Sequence, residues 1–320
     1  MNRLQLLLAF LLAASQAFAQ QLPLFTQYRE NFDIINPASV GADYLAFEQN
    51  VSFGGTYRTQ WTEYTGNPTT QTIRGSFLYA EPNGFNIIAG GHIMNDQTGP
   101  SGFTGLYGRI GGVITGDPYD GGVSFGMNLG IVQYRLKGSE IRLRESNDIL
   151  EGTNLSQWFP DVGVGVFAYK KVGGYGFGEG SYIYAGASVP QVLGLDLNFQ
   201  SGQAEVVTQR IQHAYANVGW MKFLPDDSFL EITSWGKYVP NAPFNMDINL
   251  RYMMPQGFIW VGAGSSISGN FHTETGFILG RDNPDNRFFK VGYSFDYSFS
   301  DFGPEAGGTH EINLSYSFEY

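Results

Sequence analysis

The chain contains no cysteine, which excludes a disulfide framework and any site built on thiolates. Beyond the N-terminal region it also lacks a long apolar run. Charges or glycines interrupt every candidate before it reaches the length of a membrane-spanning helix. Basic residues are scarce: 18 Lys and Arg stand against 29 Asp and Glu, for a formal net charge of −11. A general basic patch for nucleic acid is therefore disfavoured. Histidine is rare. His92, His213, His272 and His310 include no pair with metal-ligand spacing, so no metal or cofactor is nominated. There is no G-x-S-x-G elbow and no evident nucleophile–base pair, so an enzyme is not expected. No linker, low-complexity stretch or composition shift appears after Gly41.

What the chain does have is glycine (43 residues) and aromatics (16%), both high for a soluble domain. Both suit a transmembrane barrel with tight turns and aromatic girdles. The N-terminus carries Arg3, the apolar run Leu4–Ala14 and Ala17-Phe18-Ala19, which together read as an export signal, residues 1–19, cleaved after Ala19. Removing it loses one basic residue and leaves 17 against 29, or −12.

The last twelve residues show the main pattern. Ile312, Leu314, Tyr316, Phe318 and Tyr320 share one parity, and Glu311, Asn313, Ser315, Ser317 and Glu319 share the other. Successive strand side chains point to opposite faces, so this segment has one apolar and one polar face. Lipid on one side and a wet lumen on the other would satisfy both. Similar alternation runs through Phe289–Ser298, with Lys290 and Asp296 on the polar parity, and through Phe244–Tyr252, with Asp247 and Arg251. Near the front, Leu45, Phe47, Val51, Phe53 and Tyr57 oppose Glu48, Asn50, Ser52, Thr56 and Arg58.

Fourteen such segments are expected: Tyr44–Thr59, Thr70–Tyr79, Phe85–Asn95, Thr104–Thr115, Gly121–Lys137, Asp161–Lys171, Tyr182–Val189, Ile211–Phe223, Ser228–Tyr238, Phe244–Met253, Phe258–Ser266, Phe271–Gly280, Phe288–Ser298 and Thr309–Tyr320. An even number of strands of this length defines an all-β, antiparallel up-and-down barrel in the outer membrane. Connections such as Glu81–Gly84, Leu224–Asp227 and Met254–Gly257 are short. Those between them, Trp61–Thr69, Gly138–Pro160 and Pro190–Arg210, are often long. The Gly-rich Val172–Ser181 breaks the rule, being a short-turn-side connection that is not short. With both termini on the short-turn side, that rim faces the periplasm. A soluble all-β protein is the plainer alternative, but it would need to bury an aromatic-rich face and a charged face together.

Residues 20–43 precede the barrel, which is taken as 44–320. Their Phe-Thr-Gln-Tyr (Phe25–Tyr28) and Ile-Asn-Pro-Ala-Ser-Val-Gly (Ile35–Gly41) resemble the start of the PorP/SprF family of Bacteroidetes outer-membrane proteins. In order along the chain, Tyr57-Arg58-Thr59-Gln60-Trp61, Asn95–Pro100 with Gly105-Leu106-Tyr107, Gly186–Pro190 and Gly307–Ile312 resemble further family positions. The resemblance implies a part in type IX secretion and, in some members, gliding motility. It also implies an accessory barrel at the cell surface, whose partner is either a secreted adhesin bearing a type IX C-terminal signal or the periplasmic ring lipoproteins.

Partner-binding candidates follow from both lines of reasoning: Phe25, Tyr28, Asn36, Pro37 and Gly41 in the N-terminal segment, Trp61, Trp158 and Phe159 in long loops, and His310 and Glu311 at the rim. His310 is also readable as a rim histidine fixed by polar neighbours. The N-terminal segment, whose apolar groups need burial, is either a lumen plug or a periplasmic docking element. The inward charges Glu48, Arg58, Arg74, Arg109, Asp247, Arg251, Glu274, Lys290 and Asp296 either line a passive pore for small solutes or form a paired, packed interior.

Overall fold

The computed structural model describes residues 23–81, 84, 86–140, 154–174, 179–194, 196–201, 204–281, 286–299, 303 and 305–320. The export signal at 1–19, the apolar loop patch Ile141–Leu150 and most of the turns at 82–85 and 282–285 lie outside them.

Fourteen strands close into one antiparallel barrel. They are β1 (Val51–Thr59), β2 (Thr69–Tyr79), β3 (Asn86–Thr98), β4 (Ser101–Ile114), β5 (Gly121–Lys137), β6 (Asn154–Val172) and β7 (Ser181–Val189), followed after a separate hairpin of β8 (Asp196–Ser201) and β9 (Ala204–Gln209) by β10 (Ala214–Phe223), β11 (Phe229–Tyr238), β12 (Asn245–Met253), β13 (Ile259–Ser266), β14 (Asn270–Leu279), β15 (Arg287–Ser298) and β16 (Thr309–Phe318). Each barrel strand pairs with its sequence neighbour, and β1 closes the ring on β16 from Val51↔Phe318 to Thr59↔His310. Closure leaves no sheet edge to be satisfied in lipid.

The alternation sorts as expected. On β16, Ile312 and Leu314 are 45% and 44% exposed, whereas Glu311 and Ser317 are fully buried. Ile248 and Leu250 on β12 and Phe53 and Tyr57 on β1 face outward; Asp247, Asn249, Arg251, Thr56 and Arg58 face inward and are buried. Charges are thereby kept off the lipid face.

Three segments depart from the sequence-based expectation. The first strand begins at Val51, not Tyr44, because Ala42–Phe47 forms a short helix, α2. Tyr44, Leu45, Ala46 and Phe47 are all buried. A segment apolar on every side is accommodated by burial all round, and the helix ends at Glu48 in a left-handed conformation (φ 57°). Next, β6 starts seven residues earlier than Asp161. Its first turn-ward third pairs with β5 from Lys137↔Asn154 to Gly130↔Asp161, while its pairing with β7 begins only at Val164↔Val189. Pro160 therefore sits where the strand is paired on one side only, the setting in which a sheet accepts proline. Last, Pro190–Arg210, read as loop, contains the β8–β9 hairpin. The Gly-rich connection from β6 to β7 is entered and left through Gly173, Gly174 and Gly180, all at positive φ, which glycine adopts without strain.

Candidate functional site: the occupied lumen

Residues 23–47 lie inside the barrel, packed against its inward-facing side chains. They comprise a 3₁₀ turn, Tyr28–Asn31, a single helical turn α1 (Phe32–Ile35), and α2. Phe25, Tyr28, Phe32, Ile34, Ile35, Tyr44, Leu45 and Phe47 join inward-facing Tyr107, Phe167, Tyr169, Tyr184, Trp235 and Trp260 in one buried cluster. The inner face of the wall is thus partly aromatic, not uniformly polar. These short helical pieces cannot stand alone in water. Packing against the wall holds them.

The polar contacts trace the path of the segment through the lumen. At the long-loop end, Glu311 accepts the backbone N–H of Thr26 at 2.8 Å and of Gln27 at 3.0 Å. Arg58 donates to the Thr26 hydroxyl and pairs with Asp296 at 2.8 Å and with Glu311 at 3.3 Å. Deeper in, Glu30 lies 2.5 Å from Lys290, 2.6 Å from Arg251 and 3.3 Å from Arg29. Arg29 pairs in turn with Glu231, and Arg251 with Glu274 at 2.6 Å. Asp33 is 3.6 Å from Arg74, and Arg109 donates to the Ser39 carbonyl. At the short-turn end, Asp43 meets Lys290 and accepts a hydrogen bond from the Ser317 hydroxyl at 2.7 Å. Phe47 packs edge-on against Phe288 and Phe229, at 5.0 and 6.0 Å between ring centres.

All of these ionic groups are buried except Asp296, which is half-buried, and a buried charge is tolerated only with partners. The inward charges therefore form a largely ion-paired interior around the N-terminal segment, with Arg109 held instead by the Ser39 carbonyl. Of the expected set, Glu48 lies in the segment itself, half-buried at the short-turn rim, while Asp247 pairs with Lys237 and Glu274 with Arg251, partners on the wall.

The turn Asn36-Pro37 fits a notch in the wall. Asn36 donates to the Val166 carbonyl at 3.0 Å, and its side-chain oxygen accepts the Ala38 N–H at 2.9 Å. Gly126 and Gly165 face each other across β5 and β6. A Cβ on Gly126 would overlap the Pro37 carbonyl, and one on Gly165 would overlap the Asn36 side chain. Only glycine lets this turn approach so closely.

The sequence-selected residues divide by location. Phe25, Tyr28, Asn36, Pro37, Phe159 and Glu311 are buried against the wall or the segment. Gly41 is half-buried at φ 93°. Trp61 is half-buried in the first long loop at φ 52°. Trp158 and Phe159 belong to β6, not to a loop: Trp158 points outward (59% exposed) and Phe159 inward, 5.9 Å from the Tyr134 ring. His310 is half-buried, hydrogen-bonded to the Tyr293 hydroxyl at 2.8 Å and 5.2 Å from the Phe295 ring. Sequence reasoning missed Arg29, Glu30, Asp33, Asp43 and Glu231. The available signal was four charges in a segment otherwise rich in aromatic and aliphatic residues.

A closed antiparallel wall with this exposed apolar band defines an outer-membrane β-barrel. Solved structures share the fold. The CymD monoaromatic hydrocarbon channel aligns with a TM-score of 0.57 at 10% identity, covering 89% of this chain and 94% of that one. The Pseudomonas putida toluene transporter TodX aligns at 0.51 and 11% identity, covering 91% and 94%. A Pseudomonas aeruginosa FadL homologue aligns at 0.51 and 8%, covering 89% and 92%. Identities this low establish the architecture alone. No match is found among curated protein sequences. Over residues 17–316 the chain matches the type IX secretion system membrane protein PorP/SprF family. It belongs to that family and resides in the outer membrane.

Proposed function

We propose that this barrel serves type IX secretion by binding, not by catalysis or conduction. The observation that supports this most is the filled lumen: the chain's own segment occupies it, with Glu30 set among Arg29, Arg251 and Lys290. A wall whose inward charges are committed to its own plug or to one another offers its rims for recognition. On the outer rim Trp61 and His310 are the candidate contacts, with Trp158 on the outward face just below. Phe25, Tyr28, Asn36, Pro37, Gly41, Phe159 and Glu311 would act by holding the segment in place. The partner is either a secreted adhesin carrying a type IX C-terminal signal or the periplasmic ring lipoproteins, with export and surface attachment, including gliding, as the outcome.

Affinity purification from native outer membranes after crosslinking tests the proposal. Co-elution of a type IX substrate or a ring lipoprotein is expected, and its loss in Trp61→Ala or Trp158→Ala would locate the contact. A deletion strain that still exports and displays every type IX substrate would refute the role.

The alternative is a passive pore for small solutes. Shared architecture with a hydrocarbon channel and a toluene transporter favours keeping it. Planar-bilayer recording separates the two readings: the intact protein is expected to show no steady conductance, and steady open-channel current would favour the pore.

A further inference from the structure

The N-terminal segment does not begin at the rim where β1 begins. Its first anchors, Thr26 and Gln27, bind Arg58, Asp296 and Glu311, which sit one or two residues from the long-loop ends of β1, β15 and β16. Pro23 and Phe25 share a half-open recess with Met94, Tyr107, Pro190, Gln191 and Tyr215, again in the long-loop half of the wall. Its last anchors lie at the opposite end. Phe47 meets Phe229 and Phe288, the first residue of β11 and the second of β15. Asp43 meets Ser317, next to last in β16. Between these ends Arg29 meets Glu231, and Glu30 meets Lys290 and Arg251, the residue directly opposite Glu231 in the β11–β12 ladder. The segment therefore traverses the lumen from the long-loop rim to the short-turn rim before β1 turns back up. The start of β1 and the end of β16 lie on the short-turn side, as expected, whereas the described segment begins in the long-loop half; the N-terminus itself lies outside the described residues.

We propose that this threading presents the Pro23–Phe25 end of the segment toward the cell-surface side of the outer membrane, while Phe47–Asn50 emerge toward the periplasm. One closed lumen would then contain a rod in contact with both compartments, its outer end beside the rim proposed to meet secreted proteins. The inference rests on the outer-membrane orientation with short turns inside, but not on the identity of any partner.

The absence of native cysteine makes the test clean. Single variants Leu24→Cys, Thr65→Cys in the exposed first long loop and Glu81→Cys in the exposed first short turn are treated with a membrane-impermeant maleimide, in intact and in permeabilised cells. In parallel, a short epitope inserted ahead of Pro23 is probed with antibody on intact cells. Thr65→Cys is expected to label in intact cells and Glu81→Cys only after permeabilisation; the reverse would overturn the orientation itself. With those controls in order, labelling of Leu24→Cys or antibody binding on intact cells supports the threading. Failure of both in intact cells overturns it, while leaving the secretion proposal standing.

Discussion

The two faces of the wall are held by different physics. Outward residues such as Ile248, Leu250 and Leu314 meet lipid one by one, and each contributes chiefly its own apolar area. Inward residues are interdependent. Glu30 contacts three cations that come from the segment, β12 and β15 and that each meet a second carboxylate, and Glu311 fixes two backbone amides while pairing with Arg58. The lesson is that errors should be local on the outside and propagate on the inside.

The sharpest way to test that contrast is Glu30→Ala. It removes one of the two carboxylates that each of Arg29, Arg251 and Lys290 meets, and removing one partner of a buried pair typically costs about 3–5 kcal/mol. Urea titration in detergent, followed by the heat-modifiable gel shift of the folded barrel, should show that loss. A second change, Lys290→Met, is expected to cost a different amount in the Glu30→Ala background than alone, because Lys290 meets both Glu30 and Asp43, and that non-additivity would confirm that the inner groups are coupled. Next in size is Leu314→Arg on the lipid face, expected to cost about 2–4 kcal/mol near mid-membrane. It should add independently to Glu30→Ala in the same titration, and marked non-additivity would break the comparison. Gly126→Ala should cost on the order of 1–3 kcal/mol, the usual range for overpacking, through displacement of Pro37. Pulse proteolysis should show the N-terminal segment loosened while the wall stays folded.

The smallest effect concerns the outer rim. Burial, despite the Ile211 carbonyl at 2.9 Å that favours the charged ring and together with nearby Arg210, holds the His213 imidazole below its usual value. The neutral ring is therefore favoured in the folded state. This contribution is present above the ordinary histidine value of about 6.5 and is lost as pH falls below it toward the folded value. Unfolding midpoints measured from pH 7.5 down should decline slightly across that interval, and His213→Gln should flatten the slope.

The outer face was open to inspection in the sequence because a two-residue period is local. Ile312 to Phe318 declare their side without reference to anything else, and β5 falls on the expected Gly121–Lys137 to the residue. Where the period misled, another constraint prevailed. Leu45 and Phe47 continue the alternation of β1, yet burial of the whole turn Ala42–Phe47 against Phe229 and Phe288 made it helical. The long loop before Pro160 turned out to be strand in part because β5, already long, supplied a partner up to Lys137. Arg58 and Glu311 stood out through family resemblance, but Glu30 did not, because its partners Arg251 and Lys290 are more than two hundred residues away.

By itself the sequence determined the class of wall, its fourteen strands, which residues meet lipid and the secretion-system family to which the chain belongs. Alternation, turn chemistry and ordered motifs all act over short distances along the chain. Only the tertiary structure decided what fills the lumen, which charges neutralise one another and in which direction the N-terminal segment runs. Those features depend on contacts between residues far apart in the chain, which exist only once the ring has closed.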